Sequence, residues 1–423
     1  MSPSPIHAIR APGPARLTRS TAALVWLTVA GAAVVFVEPA PFDVLALVAV
    51  AVTAAAGIRA PRELAPFWLL LMVFCAGGYL GLAIAQDFGK ALVWTSVTLF
   101  LAVAGAFFAV YVSGDREARA RLILNAYACA ALAAALLAAL GYFAKIGAFL
   151  LYGRASGTFK DPNVLGSFLA LPAAYMVMLA LERPLRRALW PGLAFAVLGL
   201  GVLLTFSRGA WGLLAFSSLA TAYLAFVTAR STGRRARMAL IGLVGCALLV
   251  AGLMVLLSFQ SVGEFLKARA SLEQSYDSQH LGRFERHALG FMLALERPLG
   301  VGPHEFSKFF PEDPHNVYLN GLMSYGWIGG LAYLGLVIWT LAKGLRLALT
   351  AGPGLRFYAI PIAATFLGIA LEGVVIDTDH WRHFYLLAGL VWGLSATSRG
   401  SYRRMEPRPD IPAAALEPLR LRS

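Results

Sequence analysis

The residue types best suited to hold and transform an anion stand in a few short stretches of an otherwise apolar chain. In LLTFSRGAWGLL, Arg208 lies between two uncharged runs, residues 188–206 and 210–229, in a gap of three residues. A guanidinium keeps its charge at any physiological pH, and its planar fork matches phosphate oxygens two at a time. A helix-end arginine also snorkels to lipid headgroups; the tight turn, in which Gly209 lets the backbone bend sharply, favours a fixed ligand such as a diphosphate. In GRFERHALGF, Arg283 and Arg286 are three apart and Arg283 and His287 four apart. On a helix these three share one face, and Glu285 points elsewhere. That face either lies on a membrane surface or clamps a second phosphate. In DPHNVYLNG, Pro314 biases Asp313 away from helix, so His315 or Asn316 opens the next one. Asn316 reads as an ordinary cap or as part of a substrate site. His315 carries the side chain best suited to accept a proton near neutral pH, since imidazole titrates at ~6.5. Nearby arginines leave it basic only if a carboxylate balances them, and Glu312, Asp313, Glu372 and Asp379 are candidates. GRASGTFKDPN adds Arg154, Lys160 and Asn163, and DTDHWRH adds Asp379 and Arg382, as further binding residues. Asp379, His380 and His383 are bunched without a helical H-x-x-x-H register, so no metal site is expected.

The elements that position these residues follow from composition. Hydrophobic residues make up 59% of the 423, charged residues 14%, and the mean hydropathy is +0.70, which moves the chain out of the soluble class. Apolar runs recur at 21–37, 42–58, 65–85, 91–112, 122–143, 163–181, 188–206, 210–229, 238–259, 317–342, 357–376 and 383–397. Most approach the ~20 residues that cross ~30 Å of hydrocarbon as a helix. The expectation is an all-α, polytopic bundle of about twelve spans, with one structured outer loop at 260–316. The first run lacks a cleavage pattern and reads as retained. With a cytoplasmic amino terminus, the inner segments carry 24 of the 36 lysines and arginines, as the positive-inside rule requires. The net charge of +14 therefore records topology. It is dispersed over seven segments with no single basic face, which argues against a nucleic-acid partner. Residues 1–20 and 399–423 read as cytoplasmic, the latter as a disordered basic tail held near acidic membrane lipids. Cys75, Cys129 and Cys246 fall inside apolar runs and read as small core residues. The outer basic residues gather chiefly at 153–163, at Arg208, in the long loop and at 377–383, which suggests a cationic vestibule.

GRASGTFKDPNVLGSFLA, TFSRGAWG, GRFERHALGF with PLGVGPHEF, and DPHNVYLNGLMSYGWIGG occur in that order, and the combination resembles the O-antigen ligase and polymerase superfamily. The resemblance covers about residues 150–395, so that 21–150 form an amino-terminal helical region and 151–398 the catalytic membrane region. It implies a C-type glycosyltransferase of the bacterial inner membrane, with both termini cytoplasmic and the active site and long loop periplasmic. It also implies a glycan donor linked through diphosphate to undecaprenol, and an acceptor sugar on lipid A core or on a lipid-linked repeat unit. No cofactor and no metal are implied. Carried over by position, Arg208, Arg283 and His315 take the catalytic places; Arg286 is close enough in register that the choice between it and Arg283 stays open. Ligase and polymerase need the same donor chemistry and stay open as well. A lipid-linked glycan or anion transporter is the alternative of another class. Against it, transporters bind near the midplane, whereas these residues crowd one outer face.

Overall fold

The computed structural model describes residues 19–57, 60–258, 264 and 282–396. Residues 1–18, the tail from 397 and most of 259–281 in the long loop lie outside the described residues, and the readings of those segments lie there with them. Among the described residues the chain is all-α, with thirteen helices and one hairpin of β1 (Leu150–Leu151) antiparallel to β2 (Arg154–Ala155). The twelve apolar runs become α1 (Arg19–Gly31), α2 (Pro41–Ala55), α3 (Ala65–Gly81), α4 (Phe88–Gly114), α5 (Arg116–Phe143), α6 (Pro162–Glu182), α7 (Leu185–Leu204), α8 (Arg208–Thr228), α9 (Thr232–Leu257), α11 (Val317–Thr350), α12 (Pro353–Glu372) and α13 (Arg382–Ser395). The remaining helix, α10 (Arg283–Glu296), belongs to the long loop.

Nine of these helices, among the described residues, are long and apolar enough to cross a membrane: α3 to α9, α11 and α12. The expected count of twelve is not shown: among the described residues α1, α2 and α13 have 13, 15 and 14 residues. At the end of α1 the chain folds straight into α2: a Cβ on Gly31 would stand 3.0 Å from the Phe42 nitrogen. Helix α13 is sheathed by protein instead of lipid, with twelve of its residues buried. Its Gly389 and Gly393 meet Gly105 and Ala109 of α4 so closely that a Cβ on either would stand 2.5 or 2.6 Å from a carbonyl oxygen there. Small residues four apart on both partners let two helix backbones approach in this way. Gly389→Val is accordingly expected to lower stability by about 1–3 kcal/mol through overpacking, read as a lower unfolding temperature in detergent.

Two ends of the bundle can be told apart. Helices α6, α8 and α11 begin at one end, where α12 finishes; α6 and α8 finish where α12 begins. At that second end Arg234 pairs with Glu182, Arg237 donates to the Leu181 carbonyl at 3.2 Å and Arg356 to the Ala351 carbonyl at 2.6 Å. Basic segments counted as inner thus share one end. Helix α11 bends at Gly326, whose φ of 66° and ψ of −179° are essentially confined to glycine; the bend sets Val317–Tyr325 apart as a short leading helix. Of the cysteines only Cys75 is buried; Cys129 and Cys246 are exposed, so they are not core residues.

Candidate active site

The Ser-Arg-Gly turn is built from strained and capped backbone. Phe206 adopts a φ of 48°, a region non-glycine residues rarely enter. Ser207 then caps α8, its Oγ accepting the Ala210 N–H at 3.3 Å. Arg208 is therefore the first helical residue, placed where the partial positive charge of the helix adds to its own. Arg154 leans on the same turn, donating from Nε to the Thr205 carbonyl at 2.7 Å and from its fork to Asn163 Oδ1 at 2.8 Å. Asp161 caps α6 by accepting the Asn163 N–H at 2.6 Å. One arginine thus ties the end of α7 to the start of α6, beside the start of α8.

The last turn of α12 joins this group to the histidine. Glu372 is buried and accepts from Ser167 Oγ at 2.8 and 3.0 Å. A Cβ on Gly209 would stand 3.1 Å from Glu372 Oε1, so the carboxylate lies directly against the turn that carries Arg208. The next residue, Gly373, accepts the Val317 N–H at 2.8 Å. The starts of α8 and α11 are thereby both set against one helix end.

His315 sits two residues ahead of Val317. Its φ of 48° costs about 1–3 kcal/mol, and Asp377 holds it there. One Asp377 oxygen accepts the His315 N–H and the other the Asn316 N–H, both at 3.1 Å. Asn316 caps α11, its Oδ1 accepting from Tyr318 N at 3.1 Å and Leu319 N at 3.0 Å. His315 Nδ1 is 3.7 Å from Asp377, beyond hydrogen bonding, and the side chain is 42% exposed, so the ring is accessible to a proton. Burial pushes the Asp377 carboxyl well up, with Asp379 and Asp313 adding to the shift. Burial, then the Arg283 cation, lowers the His315 pKa, while Asp313 and Glu312 oppose them. The ring is therefore neutral around pH 7. Asp377→Ala removes both acceptors and is expected to cost about 1–3 kcal/mol, with Asp377→Asn intermediate, measured by thermal unfolding.

Helix α10 closes over this corner. Arg286, His287, Gly290 and Ala294 are its buried residues while Glu285 is exposed, the face that three- and four-residue spacing describes. It packs on α11 where Gly290 meets Leu319, and the Trp327 indole donates to the Ala294 carbonyl at 2.8 Å. His287 Nε2 donates to the Pro314 carbonyl at 2.7 Å, fixing the residue before His315. Burial chiefly lowers the His287 pKa, helped by Arg283 and Arg286. Buried Arg286 donates to Glu312 at 2.9 Å, whereas half-buried Arg283, at the first turn of α10, acts on His315 more strongly than Arg286 does.

Other candidates stand apart. Lys160 is exposed and paired with Glu38 at 2.6 Å. Arg382 grips Asp43 of α2 with both arms of its fork, at 2.8 and 2.7 Å. Buried Asp379 accepts from Asn320 at 3.2 Å and lies 3.1 Å from His380 Nδ1, one turn of α11 behind Asn316. Asp377 was not among the expected carboxylates although it stands in the same DTDHWRH stretch; a carboxylate two residues from Asp379 was the available signal.

Arg208 opens α8 and His315 stands two residues ahead of α11, and both helix starts lie beside the last turn of α12. Residues 193–334 match the family model described as O-antigen ligase. No curated protein matches the chain. The matched segment, about a third of the chain, contains Arg208, Arg283, Arg286 and His315; it is this segment that matches an O-antigen ligase family domain.

Proposed function

We propose that this protein transfers a glycan from an undecaprenyl-diphosphate-linked donor to an acceptor sugar at the periplasmic face of a bacterial inner membrane. The domain supports a membrane enzyme of the ligase or polymerase type acting on lipid-linked glycans in surface polysaccharide biosynthesis. The observation that carries the finer reading is the placing of Arg208 and His315 at helix starts packed against the same last turn of α12. Arg208 and Arg283 hold the diphosphate, with Arg154 and Asn163 bracing the turn. His315 takes the proton of the acceptor hydroxyl as its oxygen bonds the anomeric carbon. The bond from that carbon to the diphosphate oxygen breaks, and the electron pair leaves with the diphosphate. The arginines offset that growing charge, a preorganised stabilisation that often supplies the largest share of catalysis. Attack opposite the leaving group inverts the anomeric centre, and no step calls on a metal or other cofactor.

The acceptor is read as the sugar of a lipid A core, with polymerisation of repeat units as the second reading of the same chemistry. Gene deletion tests the choice. Loss of a ligase leaves polymerised chains on the carrier lipid; loss of a polymerase leaves single repeats there and overturns the ligase reading.

A further inference from the structure

At the end of the bundle opposite the candidate active site, the last turns of α6 and α8 and the first turn of α12 enclose a cavity of about 410 Å³. That lies within the roughly 300–1,000 Å³ typical of small-ligand sites. Five charged side chains line it: Arg230, Arg234, Arg356, Glu117 and Glu182. Glu182 is engaged by Arg234. Glu117 is placed against the amino end of α12, where a Cβ on Gly354 would fall 2.5 and 2.6 Å from its oxygens; that helix end offsets its charge. The other two arginines have no carboxylate. Arg356 donates only to main-chain carbonyls, of Ala351 at 2.6 Å and Thr228 at 3.4 Å, and its Nε is buried without a hydrogen-bond partner among the described residues. Arg230 is exposed at the rim and makes no ion pair among the described residues.

Three arginines against two acids, one held by Arg234 and the other set at a helix end, leave the cavity with an excess of positive charge that selects an anion. The surroundings select what the anion is attached to. Met178, Phe357 and Ile360 form an apolar wall inside. Outside, Tyr223 and Phe226 on the last turns of α8 are 66% and 40% exposed, and Trp190 near the start of α7 is 75% exposed, a surface suited to acyl chains. We propose that this cavity binds the phosphate of an anionic phospholipid headgroup, with the acyl chains lying along α7 and α8. In the orientation set by the basic loops this is the cytoplasmic leaflet, where basic pockets between helices take such headgroups. The site shares no residue with the transfer reaction and stands or falls separately from it.

The test uses the full-length protein purified in detergent and titrated in turn with phosphatidylglycerol, phosphatidylethanolamine and inorganic phosphate. Binding is read by native mass spectrometry and by the unfolding temperature. Phosphatidylglycerol is expected to remain bound and to raise the unfolding temperature; phosphatidylethanolamine and inorganic phosphate are not. R230Q and R356Q should each weaken phosphatidylglycerol binding about fivefold, with R230K near wild type and glycan transfer unchanged. Equal binding of the two lipids overturns the proposal, as does an equal shift with inorganic phosphate, which makes the occupant a soluble anion. R356Q removes a main-chain contact and can fail to fold. R230Q touches only the rim, and wild-type lipid binding by that variant alone is sufficient to reject the site.

Discussion

Arg208→Ala is expected to lower the rate of transfer roughly 10²–10³-fold, the size of effect seen when one preorganised donor to a developing negative charge is removed. Membrane insertion should be unchanged, because Ser207 caps α8 through its own Oγ, which the substitution leaves in place. Arg208→Lys separates charge from shape. A lysine keeps the charge but offers no planar fork, so most of the loss should persist. The turn leaves little freedom for a longer reach: Arg154 holds Thr205, Ser207 caps the helix, and Glu372 fills the space beside Gly209. The measurement is transfer from a lipid diphosphate donor by purified protein, with donor binding followed separately. Lysine restoring the full rate would mean that the arginine supplies only a diffuse field.

His315→Ala should reduce transfer by about 10²–10⁴, the usual contribution of a positioned general base, while leaving donor binding near wild type. The two variants therefore differ in which step they remove. The pH dependence carries a sign as well. Transfer requires the neutral ring, so activity is present above the His315 pKa and is lost as pH falls through it. Burial and Arg283 lower that pKa, and the acid limb is expected below the ~6.5 of an ordinary histidine. Arg283→Gln removes a cation that disfavours the imidazolium, so the ring should titrate at higher pH, observable by NMR of labelled histidine even where transfer itself is lost. A downward or absent movement would show that Arg283 does not face His315.

Much of this arrangement can be read from residue spacing, and the parts that cannot have physical causes. Each apolar run is a helix because hydrophobic length and the absence of charge suffice to define one. How much of it meets lipid is another matter: α13 is nearly all buried against protein, a tertiary fact that hydropathy does not register. The cationic face of α10 is legible because positions three and four apart must align. Arg382 looks like its neighbours in the outer vestibule, yet its partner Asp43 is 339 residues away, beyond any local pattern. Asp377 escapes notice for a different reason. It works by accepting two main-chain N–H groups, and every residue except proline presents one of those, so no side-chain motif marks the need. The link through Glu372 and Gly373 arises only when α12 ends between two other helix starts.

The most direct test of the central claim, that fixed arginines hold a diphosphate while His315 deprotonates the acceptor, is a single-turnover transfer assay. Purified wild-type protein, Arg208→Ala and His315→Ala are each given a synthetic undecaprenyl-diphosphate glycan and acceptor with chelator present, and the anomeric configuration of the product is read by NMR. Wild type should form the inverted linkage despite the chelator, while both variants stall and only His315→Ala still retains donor. Wild-type rates in Arg208→Ala or His315→Ala, or a product with retained configuration, would contradict it.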